Sequence, residues 1–184
     1  EGLSGGANYM DIVDKINPET EGNAVDFGDL TAGVIYTNGG FGSDTRAFTS
    51  GGLNASGANH DVIEFLTYAS AGNATDFGDL TGHGSYTGYG ASFSNNVRGV
   101  IAPGNDNFIG YITMATTGNT TDFGNLSGSN FYQAGFSSSS RGIFSGGYSG
   151  GAINKIEYVT IASTGDVTDF GDLSVARYLN GGSS

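Results

Sequence analysis

The chain has no cysteine, no tryptophan, two prolines and only six lysines and arginines among 184 residues. Without cysteine, disulfides and thiolate metal sites are excluded. The six cations, Lys15, Arg46, Arg98, Arg141, Lys155 and Arg177, form no cluster, and 18 acids outnumber them to give a formal charge of -12. Such a surface repels phosphate backbones and anionic lipid, so nucleic acid is not an expected partner. Membrane insertion is not expected either, because no apolar run approaches the ~18 residues of a spanning helix. Lys, Glu and Arg are scarce while glycine reaches 34. Helix interiors penalise glycine and favour the scarce residues, so strands joined by tight turns are expected throughout.

What is present is a repeat. Asp-Phe-Gly-Asp-Leu occurs at Asp26–Leu30, Asp76–Leu80 and Asp169–Leu173, and once with a single change as Asp122-Phe123-Gly124-Asn125-Leu126. The starts lie 50, 46 and 47 residues apart. Four units of about 46 residues cannot each bury a core alone and must share one by stacking. The expectation is one repeat domain over residues 1–184, in units of about 1–46, 47–98, 99–141 and 142–184.

The last unit is the most regular. Arg141-Gly142-Ile143-Phe144-Ser145 reads as a strand ended by Gly146-Gly147, and Tyr148 to Asn154 as a polar loop. Lys155 to Ile161, rich in β-branched and aromatic residues, reads as a second strand, and Ala162-Ser163-Thr164-Gly165-Asp166 as its turn. A third runs through Val167-Thr168-Asp169-Phe170 to Leu173. The unit's fourth strand is expected in the stretch leading to the next arginine, as in Tyr132 to Phe136 before Arg141.

A strand ending in Gly-Gly, a polar loop, a strand with an acidic-aromatic pair such as Glu157-Tyr158, a turn and a strand with one large aromatic resembles the kelch repeat. The wording Asn73-Ala74-Thr75-Asp76-Phe77-Gly78-Asp79-Leu80-Thr81 is similar to kelch-like repeats in proteins of marine bacteriophages, cyanophages among them. Phe27, Phe77, Phe123 and Phe170 stand where kelch units commonly carry tryptophan. The resemblance covers essentially the whole chain. It implies an all-β fold of four kelch-like repeats forming a β-propeller, four-bladed or part of a larger ring. It further implies a non-enzymatic structural or adhesive module of a phage virion, extracellular, in a tail, fibre or surface appendage. Other virion or surface subunits are then the expected partners, with host glycans as ligands. The alternative is a secreted lectin or carbohydrate-active propeller enzyme.

The repeated residues read first as structure. Phe27, Phe77, Phe123 and Phe170 are expected to be buried and equivalent, packed between neighbouring units. Arg46, Arg98 and Arg141 recur in step and are expected in structural ion pairs; the paired aspartates are expected in turn or strand-end roles. No catalytic constellation is legible. His60 and His83 lack a third ligand of matching spacing, so no metal and no cofactor are expected. Loops joining the second and third strands, and one unit to the next, open on one face of a four-stranded meander. Asn59, His60, His83, Tyr86, Asn130, Tyr148 and Tyr178 lie in or beside these loops and are the candidate ligand-binding residues, a mix suited to stacking and adaptable hydrogen bonding. The ends are expected to be complementary, with Tyr178–Gly182 pairing with Gly2–Gly5 to close the ring within the chain or onto a neighbouring subunit.

Overall fold

The computed structural model describes residues 9–84 and 87–182. It is all-β, with fifteen strands and no helix among the described residues: β1 Met10–Lys15, β2 Val25–Ile35, β3 Gly40–Gly42, β4 Arg46–Ser50, β5 Leu53–Asn54, β6 Val62–Thr67, β7 Thr75–Asp79, β8 Ala91–Ser94, β9 Arg98–Ala102, β10 Asp106–Thr113, β11 Thr121–Asn130, β12 Ala134–Ser137, β13 Arg141–Ser145, β14 Lys155–Thr160 and β15 Thr168–Asp172. They form four antiparallel sheets, three of which are four-stranded meanders, β3-β4-β6-β7, β8 to β11 and β12 to β15. The first, β1-β2-β5, has three strands among the described residues, and its third is borrowed from the loop after β4. The sheets fall one strand out of step with the sequence units. The stretch Ala134–Ser137 pairs forward with Arg141–Ser145 rather than back with β11. The first strand of each full sheet comes directly after the preceding Asp-Phe-Gly motif, and a strand alternation reads the same with either assignment.

Apolar clusters lie between consecutive sheets. Phe41, Phe48, Ile63, Phe77 and Leu80 meet Ile101, Ile112 and Met114 of the next sheet. On the other face of that sheet Phe93, Val100, Ile109, Phe123 and Leu126 meet Phe144, Val159 and Ile161. The adjacent residues Val100 and Ile101 therefore serve different cores, and both are fully buried. Close approach dictates glycine in this layer: a Cβ on Gly99 would lie 2.2 Å from the Phe41 ring, and one on Gly142 would lie 1.8 Å from that of Phe93.

Each sheet grips the next through the Asp-Phe-Gly-Asp motif. The Phe27 carbonyl accepts from Gly72 N–H at 2.8 Å, the Phe77 carbonyl from Gly118 N–H at 2.8 Å and the Phe123 carbonyl from Gly165 N–H at 2.6 Å. Two residues on, the carbonyls of Asp29, Asp79 and Asn125 accept from Ala74, Thr120 and Val167. The amides of the same three residues donate to the side chains of Asn73, Asn119 and Asp166 at 3.2, 2.9 and 2.9 Å. The motif glycines Gly28, Gly78 and Gly124 hold φ of 152°, 149° and 148°, and a Cβ there would sit 2.2 to 2.4 Å from the carbonyl oxygen of the docked turn. Glycine is required by both conformation and space. The second aspartate's backbone makes the seam, which is why Asn125 serves as well.

The phenylalanine just before each glycine is the extra residue of a β-bulge. Ile63 pairs Gly78 while Glu64 pairs Asp76, leaving Phe77 unmatched, and the other three sheets repeat this. The bulge turns the ring inward. Phe27, Phe77 and Phe123 are 7%, 3% and 2% exposed, whereas Phe170 is 57% exposed, which corrects the expectation of four equivalent buried rings. The first three lie under the turn of the following sheet. At the edge of β15, Gly171 has no atom of the described residues within 4 Å of its would-be Cβ, and Phe170 meets Tyr158 edge-on, at 6.1 Å.

The arginines also correct an expectation. Among the described residues none is in a salt bridge with the motif aspartates. The guanidiniums of Arg46, Arg98 and Arg141 lie over the rings of Phe65, Tyr111 and Tyr158 at 4.3, 4.6 and 4.6 Å. Arg46 and Arg98 also donate to the Met114 and Ile161 carbonyls of the next sheet. A flat cation stacked on a ring while bonding a carbonyl binds two sheets without a counter-charge.

Replacing Phe77 by Ala should lower stability by about 3 to 5 kcal/mol, the range for a core phenylalanine. The same change at Phe170 should shift the thermal midpoint far less. Calorimetry of the two variants checks both; equal losses would contradict the difference in burial.

Candidate binding site

The chain leaves each Asp-Phe-Gly strand, crosses one end of the molecule and turns into the next sheet's first strand. At that turn stand the four non-glycine residues Tyr36, Tyr89, Tyr132 and Leu179, with φ of 58°, 64°, 56° and 56°. Left-handed backbone is uncommon outside glycine and costs on the order of 1 kcal/mol or more at a tyrosine, so its recurrence marks a position that the surroundings over-determine. Each turn is tied to the one before it. Tyr89 N–H donates to the Tyr36 carbonyl at 2.8 Å, Tyr132 N–H to that of Tyr89 at 2.7 Å, and Leu179 N–H to that of Tyr132 at 3.0 Å. The result is a backbone staircase with one step per unit.

This geometry gathers tyrosines at one mouth. Tyr36 stacks on Tyr89 with centroids 4.5 Å apart, Tyr89 meets Tyr132 edge-on at 5.3 Å, Tyr132 lies 6.1 Å from Tyr178, and Tyr178 meets Tyr148 edge-on at 5.4 Å. The rings line a bowl of about 740 Å³, completed by Thr37, Gly90, Gln133, Leu179 and Asn180. None of the lining residues carries a charge. Tyr36, Tyr148 and Tyr178 are about half exposed, so ring surface is available.

Beneath the rings lie side-chain amides. In the second sheet Asn38 is satisfied: its Nδ2 donates to the Thr87 carbonyl at 2.6 Å and its Oδ1 accepts from Gly90 N–H at 3.1 Å. The last two sheets differ. Asn130 Nδ2 donates to the Gly146 carbonyl at 2.9 Å and to Gln133 Oε1 at 3.3 Å, and Asn180 Nδ2 donates to Ser145 Oγ at 3.3 Å. Asn130 Oδ1, Gln133 Nε2 and Asn180 Oδ1 are buried with no hydrogen-bond partner among the described residues.

Of the residues singled out from sequence, Tyr148 and Tyr178 line the bowl, and Asn130 supports it from inside. Asn59 pairs with Leu53 in the loop after β4. His60 leaves the bowl altogether: its Nε2 lies 3.8 Å from Glu64 Oε1, at ion-pair rather than hydrogen-bond distance. His83 Nδ1 is 3.0 Å from the Gly84 carbonyl oxygen, and neither histidine belongs to a metal-binding group among the described residues. Tyr86 lies outside the described residues, as does Gly2–Gly5 of the expected terminal pairing. Tyr36, Tyr89, Tyr132, Gln133 and Asn180 were not legible as site residues. A signal was present: Tyr36, Tyr132 and Leu179 each stand six residues after the motif leucine, and an insertion in the second unit moves the position to Tyr89.

Glu64 forms a separate buried polar site on the first seam. It is 1% exposed, and its Oε2 accepts from Thr31 N–H of the preceding sheet at 2.7 Å. Burial alone pushes its carboxyl up, but His60 and the Thr31 amide together outweigh that and hold it below its ordinary 4.5.

Comparison with models of known protein families and with curated proteins returned no match.

A carboxyl held lower in the folded chain than in the unfolded one contributes stability that is present above its unfolded value and lost as pH falls through the folded one. Ionised Glu64 should therefore stabilise the chain above pH 4.5 and cease to do so on further acidification. Thermal midpoints of the parent and of Glu64→Gln, taken from pH 6 to 3, should differ at the upper end and converge at the lower. A constant difference across the range would place the effect elsewhere.

Proposed function

We propose that this chain is a non-enzymatic recognition module that binds a saccharide in its tyrosine bowl. In keeping with the resemblance in its repeats, it is an adhesive part of a phage tail, fibre or surface appendage, set among other virion subunits and directed at host glycans. The observation that carries the reading is the convergence of five tyrosines on one uncharged opening, three of them, Tyr36, Tyr89 and Tyr132, at a left-handed backbone position that recurs along the chain. Flat rings meet the apolar C–H faces of pyranosides while amides and hydroxyls meet their hydroxyl groups, a division of labour that tyrosine-rich binding surfaces exploit. Strain that recurs at one opening is what a preorganised site requires. We further read the four sheets as kelch-like blades of a propeller, four-bladed or part of a larger ring. Support comes from Leu179, which takes the fourth step of the staircase, and from Gly182, whose would-be Cβ lies 2.5 Å from the Phe136 ring of β12.

A glycan array probed with the parent chain should show bound spots, and Tyr36→Ala and Tyr178→Ala should each weaken binding by up to about tenfold, since an aromatic contact is worth about 0.5 to 1.5 kcal/mol. Binding indifferent to both substitutions would move the site away from the bowl. Hydrolysis of any bound glycan would overturn the non-enzymatic reading in favour of a carbohydrate-active propeller enzyme.

The propeller reading has its own test. Removing residues 177–184 takes away the fourth step and the Arg177 carbonyl that accepts from Gly147 N–H at 2.8 Å, so the thermal midpoint should fall. An unchanged midpoint and unchanged elution volume would refute closure by this segment.

A further inference from the structure

The repeat is kept faithfully along the seams and broken at one side of the bowl. In the second sheet the amide beneath the rings is fully paired through Thr87 and Gly90. Gln133 and Asn180, which take the place of Thr37 and Gly90 in the earlier units, and the neighbouring Asn130 leave one donor group and two acceptors unpaired among the described residues. A buried, unpaired amide costs about 1 to 3 kcal/mol, so three within a few residues of one cavity call for a physical reason. Gln133 is 6% exposed and lines the bowl, as does Asn180. In each, one end of the amide is already held, Gln133 Oε1 by Asn130 Nδ2 and Asn180 Nδ2 on Ser145 Oγ. What is left over is an N–H donor on one wall and a C=O acceptor on the other. Terminal amide torsions have broad wells, so both groups can swing to the cavity surface at small cost.

An unpaired donor and an unpaired acceptor at one opening complement hydroxyl groups, each of which both accepts and donates. An ionised carboxylate only accepts, and would be set against Asn180 Oδ1. No cation lines the bowl to compensate it, and the whole chain carries -12. On the reading of the bowl as a saccharide site, we infer that Gln133 and Asn180 are its specificity-determining residues and that its ligand is a neutral pyranoside, selected through hydroxyl groups, with uronic and sialic acids rejected. Sites built to hydrogen-bond a hydroxyl discriminate strongly, because the analogue lacking it leaves buried groups unpaired.

Titration calorimetry with methyl hexopyranosides and the matching methyl hexuronosides tests this. The neutral sugars should bind, and the uronates should bind at least tenfold more weakly. Gln133→Met and Asn180→Leu, which remove the polar atoms at similar size, should each weaken neutral-sugar binding about tenfold or more. A uronate bound as tightly as its neutral partner, or both amide variants binding like the parent, would overturn this inference while leaving the bowl as the site, provided that Tyr178→Ala still weakens binding. Indifference to Tyr178→Ala as well would instead overturn the bowl reading on which the inference rests. Should either amide variant fail to fold, the ¹⁵N-labelled parent chain decides. The side-chain amide resonances of Gln133 and Asn180 should shift on adding the neutral sugar, and unshifted resonances in a sugar-bound chain would overturn the assignment.

Discussion

The backbone seam at Gly28, Gly78 and Gly124 is the constraint on which the rest of the architecture depends. A strand edge normally offers its N–H and C=O groups to another strand; here it offers them to the hairpin turn of the next sheet, so the sheets meet face to face and edge to turn at once. Two backbone hydrogen bonds and one to a turn side chain, each worth about 1 kcal/mol net, are a modest sum. Their larger effect is geometric. The carbonyl oxygen of the docked turn lies where a Cβ would be, which fixes how closely and at what angle each sheet succeeds its predecessor. That spacing is what allows the bulged phenylalanine to be covered and the Phe41 and Phe93 rings to lie on Gly99 and Gly142. At β15, where no turn of the described residues docks, the same phenylalanine is exposed. Burial in this chain is thus a property of the pair of sheets, as expected of a stack whose units are stabilised by nearest neighbours.

The seam also governs the end of the molecule that carries the bowl. Each Asp-Phe-Gly strand hands the chain to a crossing segment that must reach the next sheet's first strand, and the seam sets how far that is. The crossing carries left-handed backbone at Tyr36, Tyr89, Tyr132 and Leu179, and amide-to-carbonyl bonds tie the four positions in series. The tyrosines are consequently carried by a rigid frame rather than by free loops. A ring held in place before binding loses little rotamer freedom when a ligand stacks on it, and this is the thermodynamic value of building the site on strained turns.

Much of the fold was legible because the seam is spelled in sequence. The Asp-Phe-Gly-Asp motif and the Gly-Asn or Gly-Asp turns that dock on it recur along the chain, glycine-rich composition argued against helix, and three of the four motif phenylalanines are buried as expected. The hidden part was relational. Strand phase could not be read, because Ala134–Ser137 alternates identically whether it pairs backward or forward. The arginines looked like partners for aspartate because charge is visible in a sequence, whereas a ring across a strand and a carbonyl in the next sheet are not. Phe170 and Phe77 sit in the same local sequence, Thr-Asp-Phe-Gly-Asp-Leu, and only the docking of a further sheet on Phe77 separates them. At the site, Tyr148 and Tyr178 were found by their loop context, but Tyr132 looked like a strand residue, nothing in its local sequence singled out Tyr36, and Gln133 and Asn180 become distinctive only when their unpaired atoms are seen.

On the proposed reading of the bowl as a binding site, the difference between faithful and broken repetition separates structure from recognition. Selection for a common seam keeps the units alike, since a change at Gly78 or Phe77 disturbs two sheets at once. The bowl sits where each unit contributes one position to a shared opening, so the units are free to differ there, and they do: Leu179 in place of a fourth strained tyrosine, Tyr148 supplied by one sheet only, and paired amide chemistry on one side against unpaired amides on the other. The surrounding electrostatics work in the same direction. With -12 overall and no cation at the opening, long-range attraction contributes nothing to the capture of an acidic ligand, and screening over about 8 Å at physiological salt leaves short-range contacts to decide affinity. Shape, ring faces and a few amides must then supply all the selectivity, which is why the small asymmetry at Gln133 and Asn180 outweighs the far larger similarity of the four units in determining what the opening can hold.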